Sequence, residues 1–117
     1  MRYMMLICDD GTDEFGPDEI TVMPDFVIWH AALERRGITH QGIRLRPAAE
    51  AKTVSVRDGR VLVSDGPYAE TKEQIGGFEL VECADLDEAI EVAASHPSAR
   101  RYAVEIRPYW EGEGLTD

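Results

Sequence analysis

The chain reads as a single α+β domain of split-βαβ design with a β-hairpin set into its middle. Three observations carry this reading. Strand-like apolar runs and helical periodicities follow one another as strand–helix–strand, and then again as strand–helix–strand. Between the two halves, Asp58-Gly59 separates two valine-rich stretches, as a two-residue hairpin turn does. The 117 residues, 44% of them hydrophobic, suffice for one core and show neither an internal repeat nor a linker.

The first strand is residues 2–8. Its alternating sets, Tyr3, Met5, Ile7 and Met4, Leu6, Cys8, are both apolar, so it belongs to a sheet covered on both sides. Residues 9–19 carry six carboxylates with Gly11, Gly16 and Pro17 and read as a solvated loop. Its spacing fails the calcium-loop pattern, since Gly11 stands where a second ligand belongs. Residues 24–36 form the first helix, because Phe26, Trp29, His30 and Leu33 fall on one face of a 3.6-residue period. Arg35 and Arg36 suit its last turn, and Gly37 its C′ position. Residues 38–46 read as a strand with Ile43 and Leu45 on one face and His40 on the other.

Residues 53–64 are the hairpin. A type I′ turn at Asp58-Gly59 sets Arg57 opposite Arg60, Val56 opposite Val61 and Val54 opposite Val63. The four valines then share one face, expected to be buried, while the arginines lie on the wet side. Phe78 and Leu80 are expected to return the chain to the core in a strand over residues 78–83. Asp85, with Glu88 three residues on, is a capping-box-like start for a second helix reaching Ser95. Its expected buried stripe is Leu86, Ala89, Ile90 and Ala93, and Pro97 stops it. Residues 102–107 are the last strand, and residues 111–117 an acidic tail.

Net charge is −11, from 23 acidic and 12 basic residues. That balance repels phosphate backbones and anionic lipid, so neither nucleic acid nor a membrane is an expected partner. No apolar run approaches the roughly 18 residues that span a bilayer, and no signal-type segment precedes the first strand, so a cytoplasmic address is expected. Cys8 and Cys83 sit in apolar runs beside acidic residues and read as buried free thiols. With three histidines and widely separated cysteines, no metal-ligand spacing is visible, and no metal or cofactor is expected.

The segment Asp65-Gly66-Pro67-Tyr68-Ala69-Glu70-Thr71-Lys72-Glu73, followed by Gly76-Gly77, resembles the DGPF signature of the YciI-like (YCII-related) family, with Tyr68 where that signature usually has Phe. The resemblance runs from Tyr3 to about Tyr109 and implies a ferredoxin-like sheet paired with a second copy in a dimeric α+β barrel. The sequence agrees independently. Two helices cover only one face of a four-stranded sheet, whereas the first strand is apolar on both, so a homodimer is expected.

Asp65, at a strand end, is the first catalytic candidate, either as a general base or as a hold for a substrate amine. The alternative is that it braces the turn at Gly66-Pro67. Tyr68, Glu70, Thr71, Lys72 and Glu73 are candidate binding residues at the rim of a cleft, or local ion pairs bracing the loop. His30 is the second catalytic candidate, with Glu34 four residues on to orient it. Shorter relatives carry a helix histidine proposed to act in a His–Asp dyad; Asp25 occupies that position here, so the dyad is not carried over. His40 is a weaker candidate, and His96 reads as a helix-end residue.

Two function classes follow from the resemblance. One is a dimeric small-molecule enzyme doing proton-transfer chemistry, isomerase- or lyase-like, as muconolactone isomerase-like members of the barrel group do. The other is a non-catalytic regulatory or partner-binding module, since relatives of this type are often encoded beside extracytoplasmic-function sigma factors. A dimer whose ligand is incidental is a third, plainer possibility.

Overall fold

The computed structural model describes residues 1–9, 24–67 and 74–110. Strands β1 (Arg2–Asp9), β2 (His40–Arg44), β5 (Gln74–Glu82) and β6 (Ala103–Pro108) form one antiparallel sheet in the order β2-β5-β1-β6. Helices α1 (Pro24–Arg35), α2 (Leu86–Ser95) and the short α3 (Pro97–Arg101) complete the ferredoxin-like α+β arrangement. Strands β3 (Lys52–Arg57) and β4 (Arg60–Asp65) pair as a separate two-stranded sheet. No helix among the described residues is long and apolar enough to cross a membrane.

The core lies between the sheet and the helices. Tyr3 and Met5 from β1, Val81 from β5, Trp29 and Leu33 from α1, and Ala89, Val92 and Ala93 from α2 are buried together. Burying a side chain the size of Leu or Met stabilises the fold by roughly 1.5–3 kcal/mol, so this cluster dominates the energetics. Trp29 is also fixed by its indole N–H, which donates to the Val92 carbonyl and the Ser95 hydroxyl, each at 3.1 Å.

The expected ends of α1 and α2 are present. Gly37 adopts φ 69°, Gly37 N–H donates to Glu34 O at 3.1 Å and Ile38 N–H to Leu33 O at 3.0 Å, a Schellman closure with Ile38 buried behind it. Arg36 then reaches Glu88 and Glu91 on α2, at 3.5 and 3.1 Å. At α2 the Asp85 carboxylate accepts from Glu88 N–H at 2.9 Å, and Glu88 Oε1 accepts from Ala84 N–H at 2.9 Å.

Three expectations are corrected. The Asp58-Gly59 turn has φ 52° and 73° and the foreseen register, yet Val54, Val56, Val61 and Val63 face solvent. The hairpin is a sheet of its own, so within one chain nothing among the described residues covers its apolar side. On α2, Leu86 and Ile90 are about half exposed while Val92 is fully buried. The small side chains Ala89 and Ala93 bring that face close to the sheet, leaving the larger residues on its shoulder. As expected, α2 stops at Ser95 before Pro97, and Pro97 also opens α3 at its first turn, where a missing N–H costs nothing.

The third correction bears on the site. Strand β5 begins at Gln74, so Gly76-Gly77 lies within it. Its register sets Phe78 opposite Leu6 and Leu80 opposite Met4, on the face away from the helices. Glu79 and Val81 are the residues turned inward. The pairing shifts between Ile7 and Cys8, so Gly76 is passed over as a β-bulge. A Cβ on Gly77 would lie 2.8 Å from the Ile43 carbonyl oxygen, so this close approach of β2 requires glycine.

Candidate functional site

Turning Glu79 inward places a carboxyl group beneath α1. From α1, His30 presents Nε2 at 3.5 Å from Glu79 Oε1; from β2, His40 presents Nδ1 at 4.0 Å from Glu79 Oε2. The register pairs His40 with Val81 and Gly42 with Glu79, so both β2 residues share the inward face. Gly42 is part of the construction: a Cβ there would collide with the Glu79 carboxylate.

His30 is held in one tautomer. Its Nδ1 lies 2.9 Å from the carbonyl oxygen of Phe26, one helical turn back, and a carbonyl only accepts. Nδ1 therefore carries the hydrogen and donates, which leaves Nε2 to face Glu79. Burial pushes the Glu79 carboxyl above its ordinary 4.5, while the charges of His30 and His40, and the His30 hydrogen bond, oppose the rise. Oε2 of this carboxyl is buried and has no hydrogen-bond partner among the described residues.

The third histidine stands behind the pair. His96 is buried, with its ring edge-to-face against Trp29 and Phe26 at centroid distances of 4.7 and 5.4 Å. Its Nδ1 accepts from Ser98 N–H at 3.0 Å and so caps α3. Burial first, and the charge of His30 second, lower its pKa from 6.5 to about 4. It is a neutral wall of the site at pH 7.

In front of these groups is a cavity of about 320 Å³, bounded by Ile7, Phe26, Pro97 and Tyr102 around Glu79 and the three imidazoles. Of the sequence candidates, His30 lies here, paired with Glu79 instead of Glu34, whose side chain is exposed on α1. Asp65 does not line this cavity. It sits exposed at the end of β4, ion-paired with Lys52 across the hairpin. Beside it, Gly66 at φ 91° offers its carbonyl to the Thr53 hydroxyl at 2.8 Å. Tyr68, Glu70, Thr71, Lys72 and Glu73 lie outside the described residues.

Nothing in the sequence singles out Glu79, and His40 is there the weaker candidate. Strand parity was the available signal: Glu79 shares its alternation with Val81 and Cys83, all buried. Cys83 is a free thiol raised chiefly by burial, which suits packing and not reactivity. Cys8 is half-buried, and its thiol donates to the Leu6 carbonyl oxygen at 3.7 Å.

Fold and pocket together define a ferredoxin-like α+β protein with a half-enclosed cavity floored by a His–Glu–His constellation. The chain matches the YCII-related domain over residues 1–113 and belongs to that family. It is also similar to an uncharacterised protein of Rhizobium meliloti (strain 1021), 46% identical over 69 residues. That match covers 56% of this chain and 54% of the relative, about half the length of each.

Proposed function

We propose that the cavity between α1, β2 and β5 is a small-molecule site, and that the protein carries out isomerase- or lyase-like proton transfer there on a small carbonyl or ring substrate. One observation carries this reading: a buried carboxyl and two imidazoles, from three separate elements, converge on the floor of the cavity. Proton-transfer catalysis needs such groups fixed within reach of a substrate and shielded from bulk water. At about 320 Å³ the cavity is at the small end for ligand sites, which favours a compact metabolite over a polymer.

The test is a thermal-shift screen against small carbonyl and ring acids on wild type, Glu79→Gln and Asp65→Asn. A ligand at 100 times its dissociation constant stabilises the fold by about 2.7 kcal/mol. Stabilisation kept in Asp65→Asn and lost in Glu79→Gln supports the pocket. Stabilisation lost only in Asp65→Asn moves the site to the hairpin end.

The open face of the four-stranded sheet, with Met4, Leu6, Phe78, Leu80 and Ile43, is read as the seam between two copies, making the working unit a homodimer. Light scattering at micromolar concentration checks this, and a monomeric mass overturns it. A second reading, a non-catalytic regulatory module, is favoured by the exposed valine side of the hairpin. By the family resemblance its partner would be an extracytoplasmic-function sigma factor. Pull-down with such a factor, abolished by Val56→Lys and unaffected by Glu79→Gln, separates the two.

A further inference from the structure

We propose that His30, His40 and Glu79 bind a divalent transition-metal ion of the zinc class. This deepens the pocket reading and rests on it. The donor atoms of the three side chains all lie within 4.8 Å of one another. Tetrahedral zinc, with bonds of about 2.0–2.1 Å, sets its ligands about 3.3 Å apart. The Glu79–His30 separation of 3.5 Å is nearly there, and the Glu79–His40 separation of 4.0 Å closes with small side-chain rotations.

Two further observations point to a cation. Glu79 is buried with an oxygen that accepts no hydrogen bond from the described residues, and such a carboxylate oxygen beside imidazole nitrogens is what an ion would fill. His30 donates its Nδ1 hydrogen to the Phe26 carbonyl, the arrangement that orients metal-binding imidazoles and presents the Nε2 lone pair.

The donor set selects the ion. Two imidazoles and one carboxylate suit zinc and its neighbours, whereas calcium and magnesium take oxygen ligands. Three protein ligands leave a fourth position, and here the space before them is the cavity. Catalytic zinc sites share that openness, and such an ion supplies a water acidified to a pKa of about 7.

The experiment is calorimetric titration of chelator-stripped protein with zinc, supported by cobalt(II) absorption, on wild type, Glu79→Gln, His40→Ala and Asp65→Asn. Circular dichroism of each metal-free variant checks folding, and His40→Ala stands in should Glu79→Gln fail to fold. Wild type and Asp65→Asn are expected to bind equimolar zinc and give intense tetrahedral cobalt bands. Glu79→Gln and His40→Ala should lose more affinity than the roughly 10–100-fold that follows loss of an outer-shell partner. Absence of saturable zinc binding by wild type, or binding unchanged in both ligand variants, overturns the proposal. The ligand screen reads out separately: stabilisation lost in Glu79→Gln without zinc binding removes the ion and keeps the pocket.

Discussion

His96 gives the fold a pH dependence whose size follows from its surroundings. Its imidazole is packed against Trp29 and Phe26, and its pKa falls from 6.5 to about 4. A histidine that resists protonation only when folded contributes stability fully present above 6.5. Below that pH the unfolded chain takes up the proton first, so stability falls until the folded state also titrates near 4. The separation of the two values is worth about 3 kcal/mol in all, of which about 2.5 kcal/mol lies between pH 7 and pH 4.5. His96→Asn is the informative change, because Asn keeps a short acceptor for the Ser98 N–H and does not titrate. The variant loses ring contacts at every pH, so the quantity to compare is each protein's change in stability, from urea unfolding in chelator, between pH 7 and pH 4.5. Carboxylates common to both proteins cancel. With slopes of about 1–3 kcal/mol/M, wild type should lose about 1–2 M more of its urea midpoint than the variant does. Equal losses would refute the argument that burial keeps this imidazole neutral.

Glu79 works in the opposite sense: its folded carboxyl is raised, so its contribution is present below 4.5 and is lost as pH rises. Wild type should therefore lose ground against Glu79→Gln from pH 4 to pH 7 in urea unfolding. Gly42→Ala should leave the sheet formed by circular dichroism but push the carboxylate aside, weakening zinc or ligand responses more than it lowers the melting temperature. Asp85→Ala removes the cap of α2 and should cost about 1 kcal/mol by chemical denaturation, with zinc affinity unchanged.

The parts of this fold legible in the sequence are those encoded locally. Gly37 closes α1, Asp85 opens α2 and Asp58-Gly59 turns the hairpin, each through bonds made within a few residues. What periodicity does not encode is which neighbour a face meets. The stripe on α2 shifted toward Val92 because the sheet admits the small face of that helix more closely. The valines of the hairpin stayed in solvent because alternation fixes which side they share, not what lies against it. The site was hidden for the same reason. His30, His40 and Glu79 sit on a helix and two strands, and only the pairing of β2 with β5 brings them together. Asp65 stood out by its motif, yet its carboxylate is engaged by Lys52, a residue the motif does not contain.

The packing of Trp29 also gives the protein an internal optical reporter. Its indole is buried, with the His30 ring centroid at 5.0 Å and that of His96 at 4.7 Å, whereas Trp110 is 85% exposed. A dissolved quencher should therefore reach Trp110 and leave Trp29 as the emitter beside the pocket. Occupancy of the pocket should then be followed by the fluorescence of the unlabelled chain, one wavelength reading the site while the quencher removes the surface.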